Sequence, residues 1–434
     1  MGGLMKRETE PMRQPNRLVP LWGALGATFT AAIAVACVTL WAGLDLLEVH
    51  GVKHETQVSS SVLFDLVKLS FAVVAGLGGL VALVVAYRKQ RTEENAALRE
   101  DTKLHSDRFT AAVAQLGAAS PAVQLGGVHA LAGLADDAPT HALRQTCIDV
   151  LCAFLRIPYD PDPGKHPTQG QDPIKHAEAH KAYLTLREVR HTVIRTIGDH
   201  LRRGAEVSWN GHHFDFTGVV FDGGDLHGIT IDNSALTFRH ARFASGVVSF
   251  HGGLMRRGEV NFYGAKFEDG DVSFQGMEFE GGAVSFQEAV FKGCAVNFQD
   301  ALFEGGIVSF HSAMFTKGAL GFMGAAFTGG EVNFLQALFM GGVVHLDAAR
   351  FEGSKVRFQR ARFDGARVSL QHAKFLSGDV DFLNVTFAEG EVDFQNAEFL
   401  GSAVSFQGAC GFRPNGLPTD LADHLPTAPS PSII

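Results

Sequence analysis

The longest apolar stretches of the chain lie close to its start. No charged residue occurs from Leu18 to Leu44, and none occurs from Leu69 to Tyr87. Each run is long enough to cross about 30 Å of hydrocarbon as an α-helix. The pattern therefore predicts two membrane-spanning helices joined by a short loop.

The charges beside these two runs predict their orientation. The intervening loop is mostly acidic, whereas basic residues precede the first run and follow the second: Lys6, Arg7, Arg13, Arg17, Arg88, Lys89 and Arg91. By the positive-inside rule we expect a multi-pass protein of the cell membrane with both termini in the cytoplasm. A cleaved or lipidated signal peptide is the alternative, because Ala34–Cys37 loosely resembles a lipobox. The apolar run continues past Cys37, however, which favours the two-helix anchor.

Helical periodicity follows the second apolar run. Residues 88–157 begin with a charged juxtamembrane helix, and three shorter apolar-periodic helices follow. The Pro-rich residues 158–175 are expected to form a linker. Residues 176–204 predict an amphipathic helix that caps the repeat region following it in the chain. The alternative is that the basic side of this helix also contacts anionic lipid.

The second half of the chain is dominated by a repeat in which equivalent residues stand at every twelfth position. Phenylalanine recurs at that period from Phe238 to Phe406, with Leu346 and Leu370 in two gaps. A second phenylalanine stands five positions after the first, from Phe243 to Phe399, and is missing only at Met255. Val occurs two positions before the first Phe, and Ala mostly two before the second. Residues two apart in a strand share one face, so Val-x-Phe and Ala-x-Phe predict short strands with both members pointing inward. Two turn residues follow each strand.

The repeat resembles that of pentapeptide-repeat proteins. Val284 to Gly293 reads Val-Ser-Phe-Gln-Glu followed by Ala-Val-Phe-Lys-Gly, which is similar to the family pattern A(D/N)Lxx with Phe at its centre. The resemblance covers roughly residues 210–410 and implies a right-handed, quadrilateral β-solenoid. The segments around Phe109, Val128 and Cys147 also resemble the helical region of membrane-anchored, actinobacterial members. One departure is a dipeptide after every second pentapeptide, which makes the unit 5 + 5 + 2.

Charge patterning predicts that two of these units form one turn of the solenoid. Stacked turns place equivalent residues about 4.8 Å apart, where like charges repel. A 24-residue turn stacks Glu331, Lys355 and Asp379 in one column and Arg367 with Glu391 in another, so that the sign alternates. A 12-residue turn would instead put Lys355 beside Arg367. We therefore expect about eight turns.

These patterns divide the chain into nine segments. They are an N-terminal cytoplasmic tail (1–17), the first transmembrane helix (18–44), an extracytoplasmic loop (45–68), the second transmembrane helix (69–87), a cytoplasmic α-helical region (88–157), a linker (158–175), a capping helix (176–204), the β-solenoid (205–410) and a disordered C-terminal tail (411–434).

Composition and motifs argue against a catalytic or metal-binding function. The inward positions of the repeat hold Phe, Val, Leu and Ala, which leaves no catalytic group inside. The five cysteines are scattered without CxxC spacing, so neither a disulfide framework nor a zinc site is indicated. His176 and His180 flank Glu178 at a spacing that can bind a metal, but no third ligand is evident. His212 and His213 are adjacent in a strand and face opposite ways. We expect that the protein is not an enzyme and that it has neither a cofactor nor a metal site.

Two sets of outward residues are candidate interaction surfaces. The position between Ala and Phe becomes apolar at Val290, Met314 and Leu338 in one column, and at Leu302 with Ala326 in the opposite one. Exposed apolar ladders often mark contacts, although Val and Leu also simply favour strands. Basic residues concentrate further along and form the second candidate set: Arg350, Arg357, Arg360, Arg362 and Arg367, with Lys355 and Lys374. Solvated surface charge is the alternative explanation.

The sequence thus predicts a membrane-anchored, non-catalytic scaffold that binds a protein partner and has no small-molecule substrate, with homo-oligomerisation left open. The family resemblance implies one alternative, since some members mimic DNA and bind topoisomerases such as gyrase. The net charge of −9 weighs against direct binding of nucleic acid. A metal-dependent enzyme that uses His176, Glu178 and His180 is the least favoured hypothesis.

Overall fold

The computed structural model describes residues 59–158 and 162–418, with single helical residues at 26, 30, 33, 34, 37, 38, 41 and 45. The predicted N-terminal tail, most of the first predicted span and residues 419–434 lie outside the described residues. The chain divides into two compact units, Met1–Leu104 and His105–Ile434.

In the first unit, one described segment is long and apolar enough to cross a membrane by length and composition. It is Ser60–Glu94, within helix α1 (Ser60–Leu116). The helix begins inside the predicted loop and continues through the stretch that was expected to form separate helices. No Gly or Pro occurs between Leu80 and Leu116, so nothing in the sequence breaks the backbone hydrogen-bond ladder.

In the second unit, the end of α1 packs with three further helices: α2 (Pro121–Asp136), α3 (His141–Arg156) and α4 (Pro173–Leu201). Their boundaries follow from capping chemistry. Thr140 accepts a hydrogen bond from the Leu143 amide, and Asp172 accepts one from the Ile174 amide. Leu116, Leu131 and Leu151 are fully or almost fully buried, so the four segments share one hydrophobic core.

The β-solenoid contains 28 short strands in two parallel sheets. Sheet 1 contains β1 (His213–Asp215), β4 (Thr230–Thr237), β7 (Leu254–Asn261), β10 (Glu278–Phe279), β11 (Ala283–Ser285), β14 (Leu302–Phe303), β15 (Ile307–Ser309), β18 (Ala326–Phe327), β19 (Glu331–Asn333), β22 (Arg350–Arg357), β24 (Lys374–Asp381), β26 (Glu398–Phe399) and β27 (Ala403–Ser405). Sheet 2 contains β2 (Val220–Phe221), β3 (Gly224–Asp225), β5 (Arg242–Phe243), β6 (Val247–Ser249), β8 (Lys266–Phe267), β9 (Asp271–Ser273), β12 (Val290–Phe291), β13 (Ala295–Asn297), β16 (Met314–Phe315), β17 (Ala319–Gly321), β20 (Leu338–Phe339), β21 (Val343–His345), β23 (Arg362–Ser369), β25 (Thr386–Asp393) and β28 (Cys410–Gly411).

The strand register confirms the prediction that two repeat units form one turn. Val284 pairs with Val308, and Lys355 pairs with both Glu331 and Asp379, so the predicted column of alternating charge exists. About eight turns follow one another between Phe214 and Val404. The first turn is shorter, because Phe214 pairs with Leu236 instead of Phe238. This turn contains one dipeptide, whereas each later turn contains two.

Stacked phenylalanine rings fill the interior. Phe286 lies over Phe310 with ring centroids 4.7 Å apart, and Phe291 lies over Phe315 at 4.4 Å, both pairs nearly parallel. Val284 and Ala289 are buried beside them, as the repeat predicts. Burial of one such ring contributes about 1.5–3 kcal/mol relative to its exposure, so the repeated stacks supply most of the driving force for folding.

Two kinds of corner connect the strands. After each inward Phe of the Val-x-Phe strand, a tight turn is closed by a hydrogen bond such as that from the Ala289 amide to the Phe286 carbonyl. Its second turn residue, for example Glu288, has a positive φ of 57°. The other corner contains the dipeptide, where the backbones of successive turns approach closely. A Cβ on Gly318 would lie 2.1 Å from the Cys294 carbonyl oxygen, so glycine is required there.

The helical region covers the N-terminal end of the solenoid. The side-chain amide of Gln145 in α3 accepts a hydrogen bond from the His213 amide and donates one to the His213 carbonyl oxygen, at 3.0 and 2.7 Å. It therefore satisfies the free edge of β1 as a neighbouring strand would. Arg156 adds an ion pair to Asp215 at 2.6 Å. Helix α4 packs on β3, where Ile194 lies against Gly224. Both α3 and α4 thus form the cap, for which the sequence had suggested α4 alone.

Candidate interaction surfaces

The predicted apolar column exists on the outer surface of sheet 2. Val290 pairs with Met314, and Met314 pairs with Leu338, so the three side chains stack on successive turns and are half-buried. Lys266 continues the column below Val290, and Arg362 continues it above Leu338. We call Val290, Met314 and Leu338 the sheet 2 ladder. It is an apolar strip with a basic residue at each end.

The second predicted apolar column lies on sheet 1 and is shorter. Leu302 pairs with Ala326, and the neighbours at the two ends are Glu278 and Arg350. Ala326 adds little apolar area, so only Leu302 projects substantially. The two ends of this column also carry opposite charges. It therefore offers a weaker apolar contact than the sheet 2 ladder.

The structure does not bring the five candidate arginines together. Arg350 and Arg357 lie on sheet 1, Arg362 and Arg367 lie on sheet 2, and Arg360 occupies a tight turn. Four of them form ion pairs with carboxylates at 2.9–3.5 Å: Arg350–Glu352, Arg357–Glu331, Arg362–Asp364 and Arg367–Glu391. These pairs offset most of the positive charge that the sequence suggested. Exposed pairs of this kind contribute only about 0–1 kcal/mol each to stability.

One polar depression of about 460 Å³ lies on sheet 1 near the C-terminal end of the solenoid. It arises where small side chains of the last turn follow long side chains of the preceding turns. Its charged groups have both signs, and its lining includes Lys355, Arg357, Gln359, Asp379, Asp381 and Ser405. Gln359 already donates a hydrogen bond to Asp381, and Arg357 is paired with Glu331. Some of its polar groups are therefore already engaged with one another.

The candidate metal ligands do not form a site. Among the described residues, no group of three or more His, Cys, Asp or Glu side chains could hold a metal ion. His176 Nε2 lies 3.2 Å from the Pro163 carbonyl oxygen, and His180 Nδ1 lies 3.4 Å from Asp162. The His176 contact fastens the Pro-rich segment to α4, whereas His180 Nδ1 makes no hydrogen bond within the described part of the chain. His212 and His213 point apart: His212 is buried and stacks on His141, whereas His213 is exposed.

Burial also makes the interior thiols poor nucleophiles. It raises the pKa of Cys147 to about 11 and those of Cys152 and Cys294 to about 12. A thiol with such a pKa is almost entirely protonated near neutral pH, and the thiolate is the reactive form. These cysteines therefore pack as small apolar side chains.

One buried carboxylate, Asp222, and one half-buried carboxylate, Asp136, lie at the cap and were not found from the sequence. Asp222 accepts a hydrogen bond from Tyr183 at 2.7 Å and lies 2.9 Å from His191 Nε2 and 3.2 Å from Arg187 Nε. Burial and this hydrogen bond raise the pKa of Tyr183. Asp136 accepts a hydrogen bond from Trp209 at 2.8 Å and lies 3.1 Å from His200. Their partners are 31 to 73 residues away, so no local motif marks them.

Both clusters join the helical region to the first turn of the solenoid. Each carboxylate is surrounded by donors from other elements, and for the buried Asp222 these donors offset the cost of burying its charge. The role of the two clusters is to hold the cap in place.

Comparison with known proteins agrees with this architecture. Residues 262–314 match the family model described as pentapeptide repeats, with nine copies of the repeat. No curated protein matches the chain, and no solved structure matches it. The matched segment lies within the solenoid and contains part of the sheet 2 ladder. Period, register and family model lead to the same conclusion, and the chain is a pentapeptide-repeat protein.

Proposed function

We propose that the protein is a non-catalytic scaffold at the cell membrane, and that the sheet 2 ladder binds its protein partner. The observation that carries the proposal is the combination of a stacked apolar strip with a surrounding band almost free of charge. From Gly305 to Leu346 the only charged residues are Lys317 and Glu331. Met323 and Met340 in this band are also exposed. Methionine adapts its shape to a partner and is common on binding surfaces.

The membrane anchor is a separate part of the proposal. Ser60–Glu94 supports it, as do the bases Arg88, Lys89 and Arg91 near its end. Two spans with a cytoplasmic solenoid are the topology that the charge distribution favours. Alkaline phosphatase fused after Ile434 tests whether the C-terminus lies in the cytoplasm, because this reporter enzyme is active only outside the cytoplasm. An active fusion contradicts the proposed topology.

The binding surface is tested by cross-linking in intact cells, followed by capture of the full chain from solubilised membranes. We expect the double variant Met314→Asp/Leu338→Asp to lose a defined set of partners that the wild type retains. Ile307→Asp is the matched control, because Ile307 is an exposed aliphatic residue of the same region on sheet 1. Identical partner sets for wild type and double variant contradict the proposal.

The alternative function, a topoisomerase-binding DNA mimic, makes a different prediction. It requires a continuous acidic surface, whereas the arginines paired above interrupt the acidic residues on both sheets. Inhibition of gyrase supercoiling by the purified chain would favour that alternative over the scaffold.

A further inference from the structure

We propose that the sheet 2 ladder binds an amphipathic α-helix whose apolar stripe is bordered by carboxylates. This inference rests on the proposed scaffold function and specifies the chemistry of the partner. The helix lies along the solenoid axis, with its apolar stripe on Val290, Met314 and Leu338.

The spacing of the ladder suits a helix in this direction. Neighbouring turns are about 4.8 Å apart, so the column from Lys266 to Arg362 spans four steps, or about 19 Å. A helix of about 13 residues has this length. Its apolar side chains at intervals of three and four residues rise by about 4.5 and 6 Å, close to the step of the ladder. Each apolar residue of the helix therefore meets one turn of the solenoid.

The free charge beside the ladder is mostly positive. Lys266 ends the ladder, Lys292 stands two residues after Val290, and Arg360 stands two residues before Arg362. Among the residues that the structure describes, these three bases have no ion-pair partner within about 4 Å, although Lys266 and Lys292 lie close enough to Glu268 to contribute, after its hydrogen bond from Arg242, to the lowering of its pKa. A partner with carboxylates beside its apolar stripe can reach all three.

Three of the carboxylates near the ladder already have partners, and the exposed Asp269 has none among the described residues. Glu268 pairs with Arg242 at 2.8 Å, Asp364 pairs with Arg362 at 2.9 Å, and Glu288 accepts a hydrogen bond from Tyr263 at 2.7 Å. A basic helix would have to compete with the two ion pairs, and only Glu288 and Asp269 would remain open to it, against three free bases for an acidic helix. An acidic helix needs no existing pair to break, so the surface selects for acidic partners.

Sheet 1 does not offer the same combination. Its apolar column has Glu278 at one end and Arg350 at the other, and Arg350 is paired with Glu352. We therefore expect the acidic helix to bind one face of the solenoid only.

The test uses the purified full-length chain in detergent and two labelled synthetic peptides of about 13 residues. Both peptides are helical and carry Leu at alternating intervals of three and four. One has Glu beside the apolar stripe, and the other has Lys at the same positions. We expect the Glu peptide to bind at least about tenfold more tightly in fluorescence anisotropy, with an affinity that falls as salt increases.

Two variants locate the binding. Met314→Asp is expected to abolish binding of the Glu peptide, whereas Ile307→Asp leaves it unchanged. The double variant Lys266→Glu/Lys292→Glu keeps the apolar ladder and is expected to remove the preference for the Glu peptide. Circular dichroism checks that each variant retains its β structure, and the charge variant remains informative if Met314→Asp does not fold.

Equal affinity for the two peptides, no binding of either, or an equal loss in Met314→Asp and Ile307→Asp overturns the inference. These outcomes are distinct from failure of the scaffold proposal. If cellular partners depend on Met314 but the Glu peptide does not bind, the scaffold stands and the partner is not an acidic helix. If cellular partners are unaffected by the ladder variant, the scaffold proposal itself fails at this surface.

Discussion

At the residue scale, the solenoid makes two different demands on its glycines. Gly252 occupies the tight-turn position with a φ of 61°, and a Cβ added there would meet no atom within 4 Å. Gly318 also has a positive φ, but an added Cβ would collide with the backbone of the preceding turn. The first position requires only an unusual backbone conformation, which Ala348, Arg360 and His372 adopt at equivalent places. The second position requires the absence of a side chain.

The substitutions Gly252→Ala and Gly318→Ala separate these two demands. We expect Gly252→Ala to lower the free energy of unfolding by about 1–2 kcal/mol, the cost of a left-handed conformation for a residue with a Cβ. Gly318→Ala is expected to cost at least about 3 kcal/mol, because two turns of backbone must move apart. Urea unfolding followed by circular dichroism measures both. Equal losses would show that the turns are not in tight contact at Gly318.

At the scale of elements, the junction between the helical cap and the first turn responds to pH. His212 is buried, its ring stacks on His141 with centroids 3.8 Å apart, and its Nε2 has no hydrogen-bond partner among the described residues. Burial lowers the pKa of His212 below its usual 6.5, and His141 contributes in the same direction. The folded chain therefore binds a proton at His212 only at a lower pH than the unfolded chain does.

We therefore predict that the contribution of His212 to stability is fully present above about pH 6.5 and is lost as the pH falls through the folded-state pKa. In urea unfolding at about pH 7.5 and about pH 5.5, His212→Phe should lose less stability on acidification than the wild type, because the ring remains and the titrating group is gone. His213→Phe is the control, since the adjacent His213 is exposed. An identical pH dependence in the wild type and His212→Phe contradicts the prediction.

The cap also shows which parts of the structure the sequence could not predict. Periodicity was enough for the inward residues, the two-unit turn and the stacked charges, because all of these depend on spacing along the chain. The contact of Gln145 with His213 and the carboxylate clusters around Asp136 and Asp222 depend on residues far apart in sequence. The pairing of the candidate arginines depended likewise on neighbours such as Glu331 and Glu391, which only the register identified. The repeat period predicted the sheet 2 ladder, but it did not predict which of the charged residues around the ladder are left without an ion-pair partner.

At the scale of the whole molecule, the repeat unit sets which changes of length the solenoid accepts. Inward residues recur at the same phase in every unit, so deletion of the single unit 272–283 leaves all later inward residues inside. Deletion of the half unit 272–277 shifts the later chain out of phase. The inward Val, Ala and Phe of the following turn then meet outward positions of the preceding turn, so these two turns cannot stack in register.

We predict that the longer deletion keeps one continuous solenoid and that the shorter one interrupts it. The variant lacking residues 272–283 should keep the far-ultraviolet spectrum of β structure and a cooperative thermal transition. The variant lacking residues 272–277 should unfold at a lower temperature and less cooperatively, although it removes fewer residues. Comparable spectra and transitions for the two variants would contradict the in-register stacking of the turns.

The helical cap gives the solenoid a direction of assembly. Gln145 and α4 cover the N-terminal edge, and each later turn has a complete edge on which to form as soon as its predecessor is in place. The ribosome delivers the turns in this same order. Each new turn can therefore pair while the next is still being synthesised, which limits the time during which bare strand edges face other nascent chains.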